Sequence, residues 1–185
     1  VATKYTLHGK NVVHMTSGTD ELHFFYDAQN KPAVVIFNGI AYAYLYDLQG
    51  DVIGLVDNNG TQMVSYTYDA WGKMLSKTGT LASTLGTIQP FRYRGYALDE
   101  ETELYYNQSR FYNPSIARFI TADTTGVLTA SLKSLTEKNL FAYCDNNPVM
   151  RKDIDGAFWD TFFDIVSLAV SVCEVIAVSY THLRA

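Results

Sequence analysis

A tyrosine followed by an aspartate recurs at Tyr26-Asp27, Tyr46-Asp47 and Tyr68-Asp69, and an Asn or Gly stands three residues after each aspartate, at Asn30, Gly50 and Gly72. The spacing is 20 and then 22 residues. An aspartate at such a position bonds nearby backbone to open a turn, and Asn or Gly adopts the left-handed conformation that closes it. The tyrosine is then the last packed residue of the strand entering the turn. Each repeat reads as strand, turn and return strand. A unit this short cannot bury its own face, so neighbours must stack beside it.

The sequence between the turns supports strands. Tyr42, Tyr44 and Tyr46 alternate with Ala41, Ala43 and Leu45, and Val64, Tyr66 and Tyr68 share one face. Both are period-two patterns. Residues 22–26, 33–37 and 52–56 are further strand candidates, with Asn38-Gly39 and Asn59-Gly60 as turns. Residues 1–18 are weakly patterned. From Arg92 to Asp123 the runs are shorter still. Residues 104–106 follow an acidic turn, 110–112 end at Asn113-Pro114, and 118–120 end at Asp123. Residues 139–143 return to strand-like sequence and 146–148 form a turn. The expected class is mainly β: stacked antiparallel hairpins.

Other stretches read differently. Residues 124–138 read as a loop with one short helix. Phe158, Phe162, Ile165, Val166, Ala169, Val170 and Cys173 fall at helical spacing, with Asp160 and Asp164 near the start, where the helix dipole favours acids. The uncharged run 165–173 is far shorter than the ~20 residues of a membrane span, so no membrane partner is expected. Residues 178–185 break the pattern and equal one reading frame of a transposase-adapter DNA; they are expected to be a non-native tail. The chain opens on strand-like sequence with no signal segment, and is expected to be a piece of something longer.

A net charge of −5 argues against a nucleic-acid partner. Cys144 and Cys173 have no CxxC spacing, and His8, His14, His23 and His182 show no metal-ligand spacing. No phosphate-binding glycine loop or nucleophile elbow is present. Neither a metal nor a small-molecule cofactor is expected.

The Tyr-Asp repeats are followed by F-R-Y-R-G-Y, L-Y-Y-N-Q-S-R-F-Y-N-P, A-R-F-I-T-A-D and N-L-F-A-Y-C-D-N-N-P-V-M-R-K-D-I-D-G. In this order the motifs resemble the RHS-repeat (YD-repeat) family and its RHS-associated core, over roughly residues 22–156. The resemblance implies a β-strand shell that winds into a hollow container. In bacterial members the shell holds a C-terminal toxin; related shells occur in insecticidal toxin-complex proteins and animal teneurins. The chain departs from the family at Glu103 and Ala117, where glycine is usual, and at Asp153-Ile154-Asp155-Gly156-Ala157, which lacks the proline and leucine of the family's D-P-x-G-Leu motif.

The organisation expected is Tyr-Asp hairpins over 1–90, the RHS-associated core over 91–156, a helical start of a cargo region over 157–177, and the tail. The implied function is structural: encapsulating and delivering a C-terminal toxin in bacterial competition, with the parent secreted or at the cell surface. Its partners would be that cargo and the remaining shell repeats. An enzymatic alternative is aspartyl self-cleavage. Family members can cut after the closing motif, and Asp153 matches the motif's aspartate. Such chemistry needs a second carboxylate, with Asp123, Asp145 and Asp155 as candidates and Arg118 or Arg151 to pair with one. A third alternative is a carbohydrate-binding face of exposed tyrosines.

Overall fold

The computed structural model describes residues 2–123, 139–153 and 159–161. Eight strands form one antiparallel sheet in sequence order. They are β1 (Thr3–His8), β2 (Asn11–Ser17), β3 (Asp20–Tyr26), β4 (Pro32–Phe37), β5 (Ile40–Tyr46), β6 (Val52–Val56), β7 (Gln62–Tyr68) and β8 (Met74–Thr78). A smaller sheet has the order β12-β11-β10-β9, from β9 (Ala97–Asp99), β10 (Leu104–Asn107), β11 (Arg110–Asn113) and β12 (Arg118–Phe119). Finally, β13 (Arg151–Asp153) pairs with β14 (Trp159–Thr161).

One face of the large sheet is apolar. Register sets buried residue against buried residue across neighbouring strands: Met15 against Leu22, Phe24 against Val35, Val35 against Tyr42, Tyr44 against Leu55, and Leu55 against Val64. Such cross-strand pairs are the unit of sheet stability. A short helical turn, α1 (Leu85–Ile88), and the residues after it fold back over this face. Phe91 there meets Phe24 edge-on, with ring centroids 5.3 Å apart.

The three Tyr-Asp turns share one build. Register slips by one residue immediately before each tyrosine, so that Tyr26 faces Pro32, Tyr46 faces Val52 and Tyr68 faces Met74. Ala33, Ile53 and Leu75 are the bulged residues. In each turn one aspartate oxygen accepts two backbone N–H groups, those of Gln29 and Lys31, Gln49 and Asp51, or Trp71 and Lys73. Each tyrosine hydroxyl donates back to a carbonyl of the preceding strand: Tyr26 to Val12 (2.7 Å), Tyr46 to Pro32 (2.5 Å) and Tyr68 to Val52 (2.9 Å). Phenylalanine could not make this bond.

Asp57 repeats the design on the opposite end of the sheet. It accepts from Asn59 and Thr61, and Val56 faces Gln62 after the same register slip. Asn59-Gly60 is therefore part of a longer aspartate turn and not a two-residue hairpin loop. Asn38-Gly39 is the two-residue kind, with φ of 49° and 84° between the paired Phe37 and Ile40.

The stretches beside the clear repeats take particular forms. Within the weakly patterned start of the chain, Thr3–His8 and Asn11–Ser17 are β1 and β2. β1 is exposed throughout, so burial imposes no alternation on its sequence. Residues 139–143 make one isolated bridge, Arg118 to Ala142, in place of a strand. Of the helix expected over 157–177, only Trp159–Thr161 are described, as the strand paired with β13. The rest of that helix, the loop 124–138, Asp155 and the tail lie outside the described residues. Among the described residues no helix is long and apolar enough to cross a membrane.

Glu103 and Ala117 keep the left-handed backbone that the family's glycine would adopt, with φ of 57° and 56°. A side chain there is strained. We expect Glu103→Gly and Ala117→Gly each to stabilise the chain by about 0.5–1 kcal/mol, measured as a higher urea midpoint. No gain at either position would show that the turns relax.

Candidate functional site

The chemistry-bearing residues gather where the Tyr-Asp turns meet residues 92–123 and 139–153. The centre is a cluster of rings, Tyr93, Tyr96, Tyr105, Tyr112, Phe119 and Tyr143, with Cys144 beside them, all buried. β10 and β11 supply Tyr105 and Tyr112 as a registered pair, stacked with centroids 6.4 Å apart. Tyr143 arrives from the segment after Asn139 and lies 4.2 Å from Tyr112.

Three of these phenols grip one turn. Tyr93 donates to Ala70 (3.0 Å), Tyr112 to Trp71 (2.7 Å) and Tyr105 to Gly72 (2.9 Å), so consecutive carbonyls of the third Tyr-Asp turn are held by the ring cluster. A buried hydroxyl needs a partner, and these carbonyls supply it. The second turn is held differently. The buried Asp51 carboxylate accepts the Arg94 backbone N–H at 2.8 Å and lies 3.6 Å from the Arg94 guanidinium, which also donates to Gln49 and Pro148 carbonyls. Burial pushes the Asp51 carboxyl upward, opposed by the Arg94 N–H and charge. Behind both turns, the fully buried Arg92 donates to carbonyls at the end of α1 and lies over the Tyr66 ring at 4.5 Å.

The docked turns leave little room for a side chain at the left-handed position, most of all at Gly72. Gly50 and Gly72 are buried and have positive φ; Asn30, also left-handed, is exposed. A Cβ on Gly72 would stand 2.4 Å from the Tyr93 ring, and one on Gly50 would stand 3.2 Å from Lys152 Nζ. Between the first two turns and the ring cluster lies a cleft of about 1250 Å³, lined in part by Tyr26, Lys31, Phe91, Arg94, Tyr96 and Lys152. Burial lowers both lysines; for Lys152 the charges of Arg94 and Lys31 add to it.

The sequence-assigned aspartates fall in different places. Asp153, on β13, is 2% exposed, and its carbonyl accepts from Asn107 (3.2 Å) and from the Tyr96 hydroxyl. Its carboxylate lies 3.4 Å from Arg110 Nη2, and the same nitrogen lies 3.0 Å from the Asp123 carboxylate. Arg110 also donates to the Leu140 carbonyl (3.2 Å) and stacks 3.6 Å over Phe119. Asp123 and Asp153 are thus brought together through a guanidinium. Asp145 is set apart, exposed and 2.5 Å from Arg151. Arg110, on β11, was not singled out in the sequence. Its signal was a charged residue alternating with Tyr112 on the inward face of a short strand.

Burial raises the phenols. Tyr26 and Tyr93 move from 10.0 to about 12, and Tyr68, Tyr105 and Tyr112 move higher. The Cys144 thiol likewise rises to about 12, chiefly by burial, so it is not a thiolate near neutrality. The folded chain keeps these phenols neutral where the unfolded chain ionises. Their stabilisation is therefore intact below pH 10.0 and is lost as the pH climbs toward about 12. We expect phenolate absorbance to rise late and steeply, together with loss of sheet circular dichroism. A gradual rise at the ordinary phenol pKa with the sheet intact would contradict this. Among the described residues the repeat tyrosines Tyr42, Tyr44 and Tyr66 are buried, so these rings offer no stacking face to a sugar.

Comparison with known proteins agrees with this architecture. The teneurin YD-shell family model matches residues 11–149. The tRNA3(Ser)-specific nuclease WapA of Bacillus spizizenii is 36% identical over 148 residues, which is 79% of this chain and 6% of WapA. The double-stranded DNA deaminase toxin A of Burkholderia cenocepacia is 33% identical over 104 residues, 54% of this chain and 7% of the toxin. Among solved structures, the Tc holotoxin pore of Photorhabdus luminescens superposes with a TM-score of 0.62 at 21% identity, covering 83% of this chain and 7% of that one. A TcdB2-TccC3 crystal structure gives 0.59 at 23% identity, over 83% and 7%. The chain spans less than a tenth of the length of each of these relatives. With the repeated aspartate turns, the antiparallel wall and a family match over most of its length, the chain belongs to the teneurin YD-shell family.

Proposed function

We propose that this chain is wall and closing core of an RHS-type shell whose parent encloses a C-terminal toxin and delivers it in competition between bacteria, from a secreted or cell-surface position. The observation that carries the reading is the grip of Tyr93, Tyr105 and Tyr112 on three consecutive carbonyls of the third turn. It makes hairpin wall and aromatic core one unit, as a container needs and a loose linker does not. The relatives named nuclease and deaminase toxin match this chain over only 6% and 7% of their length, so their chemistry is not carried over to it. The test is limited proteolysis of the full-length parent. The toxin segment should resist cleavage while the wall is folded and become sensitive when it is unfolded. Equal sensitivity in both states would defeat the reading.

A second reading, self-cleavage, is favoured by Asp123 and Asp153 meeting at Arg110. It expects a cut near Ala157 in the parent that Asp153→Asn and Asp123→Asn each abolish. A parent that stays whole, or is cut equally with both substitutions, counts against it. A pair of carboxylates joined through a guanidinium is also what a purely structural clamp would look like.

A further inference from the structure

We infer that His14, His23 and Glu21 form a binding site for a first-row divalent transition ion on the face of the wall turned away from its core. The strands build the cluster. His14 on β2 and His23 on β3 are direct register partners, and Glu21 stands two residues before His23, on the same side of the strand. The neighbouring pair Met15 and Leu22 is buried, so the three polar residues point outward. Both imidazole Nε2 atoms converge on one oxygen, Glu21 Oε1, at 2.9 Å from His14 and 3.2 Å from His23. The two rings lean together with centroids 4.6 Å apart. All three donor atoms lie within 4.8 Å of one another.

The two nitrogen-to-oxygen separations are those of ligands sharing an ion, and the imidazoles stand close enough to close on one. Bonds of about 2.0–2.2 Å to nitrogen and oxygen place neighbouring donors about 2.9–3.4 Å apart at tetrahedral or octahedral angles. Two neutral imidazoles with one carboxylate suit Zn²⁺, Cu²⁺ and Ni²⁺, and not Ca²⁺ or Mg²⁺, which prefer oxygen. The donors are exposed enough for an ion to enter and keep water in its remaining positions, with side chains 29%, 46% and 56% accessible for His14, His23 and Glu21. Nothing in the linear spacing announces the site, because antiparallel register creates it.

The test is titration of the 185-residue chain with Zn²⁺ by calorimetry. One ion per chain with micromolar affinity is expected. His14→Ala and His23→Ala should each weaken binding by at least ~10-fold, the lower end of what even an outer-sphere partner contributes. His8→Ala, on β1 and outside the cluster, should leave it unchanged. Electron paramagnetic resonance of the Cu²⁺-loaded, unsubstituted chain gives an independent reading, expected to show two coordinating imidazole nitrogens. Binding that survives both histidine substitutions, no binding at millimolar Zn²⁺, or a Cu²⁺ spectrum with fewer than two nitrogens would overturn the assignment and leave Glu21 as a simple hydrogen-bond acceptor.

Discussion

Gly72→Ala should destabilise the chain by about 2–4 kcal/mol, while Gly60→Ala should cost only about 1 kcal/mol. The two glycines close turns of the same design, each three residues after an aspartate that holds the loop. Their φ angles are nearly equal, 85° and 79°. The left-handed penalty is therefore shared, and the difference isolates packing. A Cβ at Gly60 meets nothing within 4 Å, whereas one at Gly72 meets three atoms of the Tyr93 ring at 2.4–2.9 Å. That ring cannot retreat easily: its hydroxyl is bonded to Ala70 and its faces abut Tyr68, Tyr96, Tyr105 and Tyr143. Urea midpoints of the two variants measure the gap. Equal losses would mean that Tyr93 does not seat on the third turn. Coupling between Gly72→Ala and Tyr93→Leu should be favourable, because the shorter side chain makes room for the methyl group.

The second large effect is at Arg92. Arg92→Ala should cost about 3–5 kcal/mol. This guanidinium has 0% exposure and donates to the carbonyls of Gln89, Phe91, Gly86 and Thr87, with Glu100 at 3.3 Å. It sits at the carboxyl end of α1, where carbonyls lack partners within the helix and a cation is favoured; the Gly86 carbonyl there also accepts from the Tyr66 hydroxyl. Truncation removes those donors and opens a cavity beneath Tyr66. Arg92→Met restores most of the volume without the donors, so the shortfall that remains measures the hydrogen bonds. Full recovery in Arg92→Met would show that Arg92 acts only as filler.

The repeat was legible because its turn chemistry is local. Asp27, Asp47 and Asp69 bond backbone within four residues, so sequence spacing alone reveals the design. Residues 57–60 read as an Asn-Gly turn because valine at position 56 replaces the tyrosine marker, although Asp57 and Gly60 do the same work. β1 is only weakly patterned because an edge strand exposed throughout has no buried face to impose alternation. Register-dependent features were not legible at all. His14 and His23 are nine residues apart in sequence and directly opposite in the sheet. Arg110, Asp123 and Asp153 converge from separate elements, and only the folded chain shows that Arg110 joins the two acids, while Arg151 pairs with Asp145.

Native-state hydrogen exchange compares the two like turns most directly. The Gly72 and Lys73 amides bond to Asp69 just as the Gly60 and Thr61 amides bond to Asp57. If the aromatic core clamps the wall, Gly72 and Lys73 should exchange only through the global opening that also exposes β10 and β11, and Gly60 and Thr61 should exchange far faster. Equal, fast exchange in both turns would mean that hairpins and core are separate pieces, and the account of a wall fastened to its aromatic core would be wrong.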